Sequence, residues 1–76
     1  MKGTFEVPML GRFRCQSLRR YVVLVGSEAG PRTVYRTDDH LVKAKSTARR
    51  NRGSVIVDTI DKKFWTSAAD RWAPLT

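Results

Sequence analysis

The segment Arg20 to Gly26, read RYVVLVG, sets the tightest limit on what this chain can fold into. Its β-branched and aromatic residues fill both alternating sets, with Tyr21, Val23 and Val25 on one face and Val22 and Leu24 on the other. It therefore reads as a central strand of a sheet. Ser27-Glu28-Ala29-Gly30-Pro31 then gathers turn-forming residues ahead of Arg32 to Arg36 (RTVYR), so the two strands should pair as an antiparallel hairpin. Val34 faces one way in that hairpin, and Thr33 with Tyr35 the other.

After the hairpin the period changes from two to that of a helix. Thr37 or Asp38 supplies an N-cap, acidic residues fall in the first turn and arginines in the last, and Gly53 is the natural C′ residue. Leu41, Ala44 and Ala48 lie on one narrow stripe, and a stripe of small residues implies a helix lying close against a sheet. Ser54 to Asp58 (SVIVD) reads as a strand with Val55 and Val57 on one face and Ile56 on the other. Thr59-Ile60-Asp61-Lys62 turns the chain into a short strand holding Phe64 and Trp65. A short helical segment at Ser67 to Trp72 is expected before Pro74 stops it. At the other end, Thr4 to Leu10 reads as a strand that Pro8 confines to a sheet edge; if Pro8 breaks it, residues 1–14 are a flexible basic arm that orders on binding.

The expected fold is α+β: a small, mainly antiparallel sheet of order β-β-α-β, with extra strands at the N- and C-terminal ends and one helix packed on a face. No linker or repeat divides residues 1–76, so the chain reads as one small domain with residues 66–76 as its tail. A domain of this size buries only about 60% of its unfolded-chain surface. With a single cysteine among 76 residues it has no disulfide framework to compensate, so a homo-oligomer sharing apolar surface is one expected arrangement. The longest purely apolar run, Val22 to Val25, is far short of the roughly 20 residues of a membrane-spanning helix. Glu6, Pro8 and Arg12 interrupt any signal-peptide core, and the chain reads as cytoplasmic. Cys15 and His40 are the only cysteine and histidine, which excludes paired-cysteine or cysteine–histidine zinc sites within one protomer. No metal or cofactor is expected.

Between residues 21 and 65 the chain carries a valine-rich strand, an arginine-rich hairpin, an Ala/Arg-rich helix and the strand and turn Val55-Ile56-Val57-Asp58-Thr59. In this it resembles small accessory proteins encoded by actinobacterial phages. Ten arginines against five lysines fit the GC-rich coding origin of such proteins. The resemblance is one of style over about half the chain; it implies a phage origin and assigns no functional residue.

Charge placement is the most informative functional feature. The balance is 15 Lys+Arg against 7 Asp+Glu, a net charge of +8. Lys43, Lys45, Arg49, Arg50 and Arg52 place five positive charges in ten residues with no acid between them, and Arg12, Arg14, Arg19 and Arg20 place four more in nine. Phosphates are the natural complement, against the plainer reading that arginines solubilise a small surface and complement a helix C-terminus. On the helical wheel Lys43 and Arg50 lie opposite the apolar stripe, while Lys45, Arg49 and Arg52 flank it. Phe13, Tyr21 and Tyr35 sit near arginines as stacking platforms do in single-strand binders, although core packing is the commoner role of such residues. No helix-turn-helix or RNA-recognition strand motif is present.

Enzymatic constellations are poor. Asp38, Asp39 and His40 are adjacent, but consecutive residues on a helix point in different directions. Asp58 and Asp61 fit turn chemistry better than a catalytic carboxylate pair. Cys15 near Arg14 and Arg19 reads as packing rather than as an activated thiol. Trp65 and Trp72 either pack back onto the sheet to enlarge the core or, with Tyr35, anchor a protein partner.

Two functions follow. The first is a small non-catalytic binding protein that contacts nucleic acid, DNA before RNA, through the basic helix and the N-terminal arginines. The second is a protein-interaction module that binds and modulates a host bacterial protein through Tyr35, Trp65 and Trp72.

Overall fold

The computed structural model describes residues 3–7, 10–15, 19–26, 32–51 and 53–75. Among them run β1 (Gly3–Val7), β2 (Gly11–Cys15), β3 (Tyr21–Val25), β4 (Thr33–Asp38), α1 (Leu41–Arg50), β5 (Val55–Asp58), β6 (Lys63–Thr66) and β7 (Arg71–Pro74). β1 and β2 form a hairpin of their own, and the others build a five-stranded antiparallel sheet in the order β4-β3-β5-β6-β7. The architecture is α+β, with one helix packed on a mainly antiparallel sheet.

The two-sided apolar pattern of β3 has a direct structural cause. On one face Tyr21 and Val23 pack with Ile56, Trp65 and the helix residues Ala44 and Ala48, and Leu41 closes that cluster from its edge. On the other face Val22, Leu24, Val55 and Val57 meet Val7, with Phe5 and Phe13 of the β1–β2 hairpin beside them. The molecule is thus three layers deep: helix, sheet, hairpin. Val22, Val23, Leu24, Val55, Ile56 and Val57 are each at most 1% exposed. At about 1.5–3 kcal/mol for each fully buried aliphatic side chain, the β3–β5 pair is where stability is concentrated.

The hairpin layer corrects the reading of the N-terminus. The strand runs Gly3–Val7, shorter than Thr4 to Leu10, and pairs with β2 rather than with an edge of the main sheet. It is not a basic arm: Val7 is fully buried, and Phe5 lies directly across from Phe13 with ring centroids 5.8 Å apart. Pro8, on which the edge-strand reading turned, lies outside the described residues. Arg12 and Arg14 alternate with Phe13 and Cys15 along β2, so the arginines are exposed while Phe13 and Cys15 are half-buried.

The helix begins later than expected. Thr37 and Asp38 belong to β4, held by pairing with Val22 and Tyr21, and the N-cap is His40, with no side-chain cap and no acid in the first turn. Asp38 still serves the helix entry, because its carboxylate accepts a hydrogen bond from the His40 N–H at 3.0 Å. At the other end Asn51 is the C-cap, and its side-chain amide donates to the Thr47 carbonyl at 2.8 Å. Gly53 therefore sits one position beyond C′, in the left-handed region at φ 78° where its lack of a Cβ is needed.

The tail corrects the second helix. Within Ser67 to Trp72, residues 67–70 form a tight turn and Arg71 and Trp72 begin β7. Thr66 accepts from the Ala69 N–H through Oγ1 (3.2 Å) and from the Asp70 N–H through its carbonyl (2.9 Å), and Asp70 turns the chain back at φ 52°. An isolated helix of six residues is too short to compensate its nucleation cost, whereas a fifth strand gains a full ladder and a Trp65–Trp72 cross-strand pair.

Candidate nucleic-acid interface

The structure divides the basic residues that look alike in the sequence. Three of the N-terminal arginines are engaged with acids: Arg12 lies 3.6 Å from Glu6, Arg19 3.2 Å from Asp39, and Arg20 3.3 Å from both Asp58 and Asp61. The remaining one, Arg14, is exposed on β2. The helix differs. Lys43, Lys45, Arg49 and Arg50 have no acid within ion-pair distance among the described residues. Arg52 lies outside the described residues.

Helical geometry sorts these four. Ala44, Thr47 and Ala48 form the buried face, and Lys43 and Arg50 project together into solvent from one flank of it. Lys45 is half-buried on the flank nearest β6, with its Nζ 5.6 Å from the Trp65 ring centre. Arg49, one turn further on, shares that flank and is exposed. Both closing arginines lie in the last turn, where the helix dipole favours cations.

Asp58 shows how the acids are consumed. Its carboxylate is 1% exposed, accepts from Arg20 through Nε and Nη2 at 3.3 Å each, and accepts from the N–H groups of Ile60 (3.0 Å) and Asp61 (3.1 Å). Burial pushes its pKa upward, yet the Arg20 hydrogen bonds together with the two backbone N–H donors outweigh that and hold it below the ordinary aspartate value. The same contact holds the Arg20 guanidinium pKa up. Asp38 is also held below its ordinary value, first by the His40 N–H and then by the charges of Arg36 and Lys43, against opposing desolvation. The backbone contacts are the turn chemistry expected of Asp58 and Asp61; the shared Arg20 ion pair is an addition the sequence reading did not include.

The aromatic candidates disperse. Tyr21 is buried, with the Arg20 guanidinium 5.1 Å from its ring centre, and Phe13 stacks in the hairpin layer. Tyr35 is 59% exposed and is the extra residue of a β-bulge in β4, where Val23 pairs with Arg36 and Leu24 with Val34. Trp65 is only 2% exposed and belongs to the core. Trp72 packs against that core from the opposite edge strand to Tyr35, four strand spacings or roughly 19 Å away. Tyr35, Trp65 and Trp72 therefore do not make one anchor patch.

Sequence reasoning missed Lys63. It alternates with Trp65 along β6 and places its Nζ 4.9 Å from the Trp72 ring centre, and the period-two spacing of Lys63 and Trp65 was the available signal. A shallow depression of about 260 Å³ between Arg32, Gly53, Ser54 and Thr66 lies beyond the helix C-terminus. Two of its polar side chains are engaged within the fold: Arg32 donates through Nε to the Gly53 carbonyl at 2.9 Å and Ser54 to the Ala48 carbonyl at 2.7 Å.

Among the described residues no group of three or more metal-ligating side chains is found, and no helix is long and apolar enough to cross a membrane. No protein-family model matches the chain, and neither does any curated protein or solved structure. The surface has to be read from its own chemistry.

Proposed function

We propose that this is a small non-catalytic protein that binds nucleic acid, DNA in first place, through the basic surface of α1. One observation carries the reading: Lys43, Lys45, Arg49 and Arg50 stand without acidic partners among the described residues, while five acids elsewhere are engaged by other cations. A solubilising surface gains little from keeping four like charges together on ten residues, where they repel one another. A polyanion removes that repulsion and releases counterions. Arg14 adds a further cation; Arg12, Arg19 and Arg20 contribute less, because each must share itself with an acid. Such a partner places the protein in a cytoplasm, that of a bacterial host on the origin its sequence style implies.

Salt dependence tests the reading. If four helix cations each neutralise one phosphate, log K for a duplex should fall against log salt with a slope of roughly −3 to −4. A flat salt profile, or no binding at low salt, overturns it. The second reading, a protein-interaction module, draws on the exposure of Tyr35 at the bulge of β4. It takes over if nucleic acid does not bind, and Tyr35→Ala then tests it by loss of a captured host protein.

A further inference from the structure

The helix rests chiefly on β3, β4 and β5. Its side of the sheet is closed as far as Trp65 of β6 and is less covered beyond it, at the edge strand β7. On that face, alternation sets Lys63 and Trp65 of β6 beside Pro74 and Trp72 of β7. Trp65 is sealed at 2% exposure, but Trp72 on the edge strand remains only half-buried. Lys63 covers its ring at 4.9 Å, Lys45 on the helix flank lies 5.6 Å from the neighbouring Trp65 ring, and exposed Arg49 follows Lys45 one turn on. Lys63 also lies 3.7 Å from Asp61, which has a closer partner in Arg20 at 3.3 Å.

Resting on the nucleic-acid reading above, we propose that this face binds single-stranded nucleic acid, with one base stacked on Trp72 and the neighbouring phosphates held by Lys45 and Arg49. A duplex keeps its base faces inside its own stack and has nothing to lay on an indole set in the floor between a helix and a sheet edge. A single strand offers both the π-face and the charge. Lys63 already shows that the ring accepts a partner on its face. Displacing an exposed cation–π contact costs a factor of about 2 to 5 in affinity. Stacking a base contributes about 5- to 150-fold, so the base wins the ring and Lys63 swings toward a phosphate. A protein partner fits this face less well, since the exposed part of the indole carries the Lys63 ammonium on its ring.

The test uses the full chain with a short oligothymidylate and a duplex of equal length, read by anisotropy and by tryptophan fluorescence across a salt series. The strand should bind more tightly than the duplex and quench the emission. Trp72→Leu should weaken strand binding about 5-fold or more, leave its salt slope unchanged and leave duplex binding unaltered; Trp72→Phe should lose less. Strand binding equal to wild type in Trp72→Leu, with the steep salt slope intact, overturns the stacking site and leaves the phosphate-binding reading standing. Failure of the wild type to bind either probe removes both. Should Trp72→Leu lose its circular dichroism, the wild-type quenching and Trp72→Phe decide: strand binding with neither quenching nor any loss in Trp72→Phe overturns the inference.

Discussion

Arg12, Arg19 and Arg20 each meet an acid, whereas Lys43, Lys45, Arg49 and Arg50 of α1 meet none among the described residues. The two groups differ in what their local structure asks of them. Arg20 precedes the first residue of β3 and is bound to Asp58, itself the last residue of β5, so its charge joins two strand ends and the turn after them. The helix cations close no such pair: Lys43 acts on Asp38 only from beyond ion-pair distance, and Lys45 rests on the Trp65 ring. Net charge alone would weigh both groups equally as phosphate contacts; the fold ties the arginines to acids, Arg20 at the sheet ends among them, and leaves the helix cations outside ion-pair distance of any acid among the described residues.

Reversing Arg49 and Arg50 together should have the largest effect, a loss of roughly 30-fold or more in nucleic-acid affinity at physiological salt. The same double variant should still unfold cooperatively, since reversal exchanges two favourable dipole contacts for unfavourable ones on exposed residues and leaves the core untouched. Anisotropy titrations and a thermal melt measure both, and unchanged affinity would dissolve the contrast between the groups. Asp58→Ala should do the reverse. It leaves the Ile60 and Asp61 N–H groups without their acceptor and the Arg20 guanidinium with Asp61 alone, costing about 1–2 kcal/mol of stability by denaturant titration, with affinity preserved.

Acid should act on the same contact. The folded-state pKa of Asp58 lies below its unfolded value, so its contribution is fully present above the ordinary value of 3.8 and is lost as pH falls below it. Melting temperature followed downward from neutral pH should drop in that range, and Asp58→Ala should flatten part of the drop. The smallest effect is expected from Arg12→Ala, which removes an exposed hairpin ion pair with Glu6. It should change stability by under about 0.5 kcal/mol and affinity by less than either helix arginine.

Much of the fold was legible in the sequence because its strands bury both alternating sets. RYVVLVG and SVIVD announce paired interior strands, and the Leu41, Ala44, Ala48 stripe announces the close helix. Where a local signal competed with a long-range one, the local signal misled. Thr37 and Asp38 are good caps, but β3 recruits both into a ladder. Ser67 to Trp72 has helix-compatible residues, but the register of β6 draws Trp72 opposite Trp65. β2 was hidden because its arginines drew attention to charge rather than to their alternation with Phe13 and Cys15. The site was legible as composition only: which cations are already spoken for depends on pairs some 20 to 40 residues apart, such as Arg19 with Asp39 and Arg20 with Asp58. No single-residue rule registers those.

The bulge at Tyr35 and the proline at position 74 stand at the two outer strands of the main sheet. A regular outer strand is a template on which another chain can polymerise. Here one border is twisted out of register by an extra residue, and the other ends on a residue with no N–H to offer. The sheet is finished at both borders, which blunts the templating that so small and valine-rich a chain would otherwise offer.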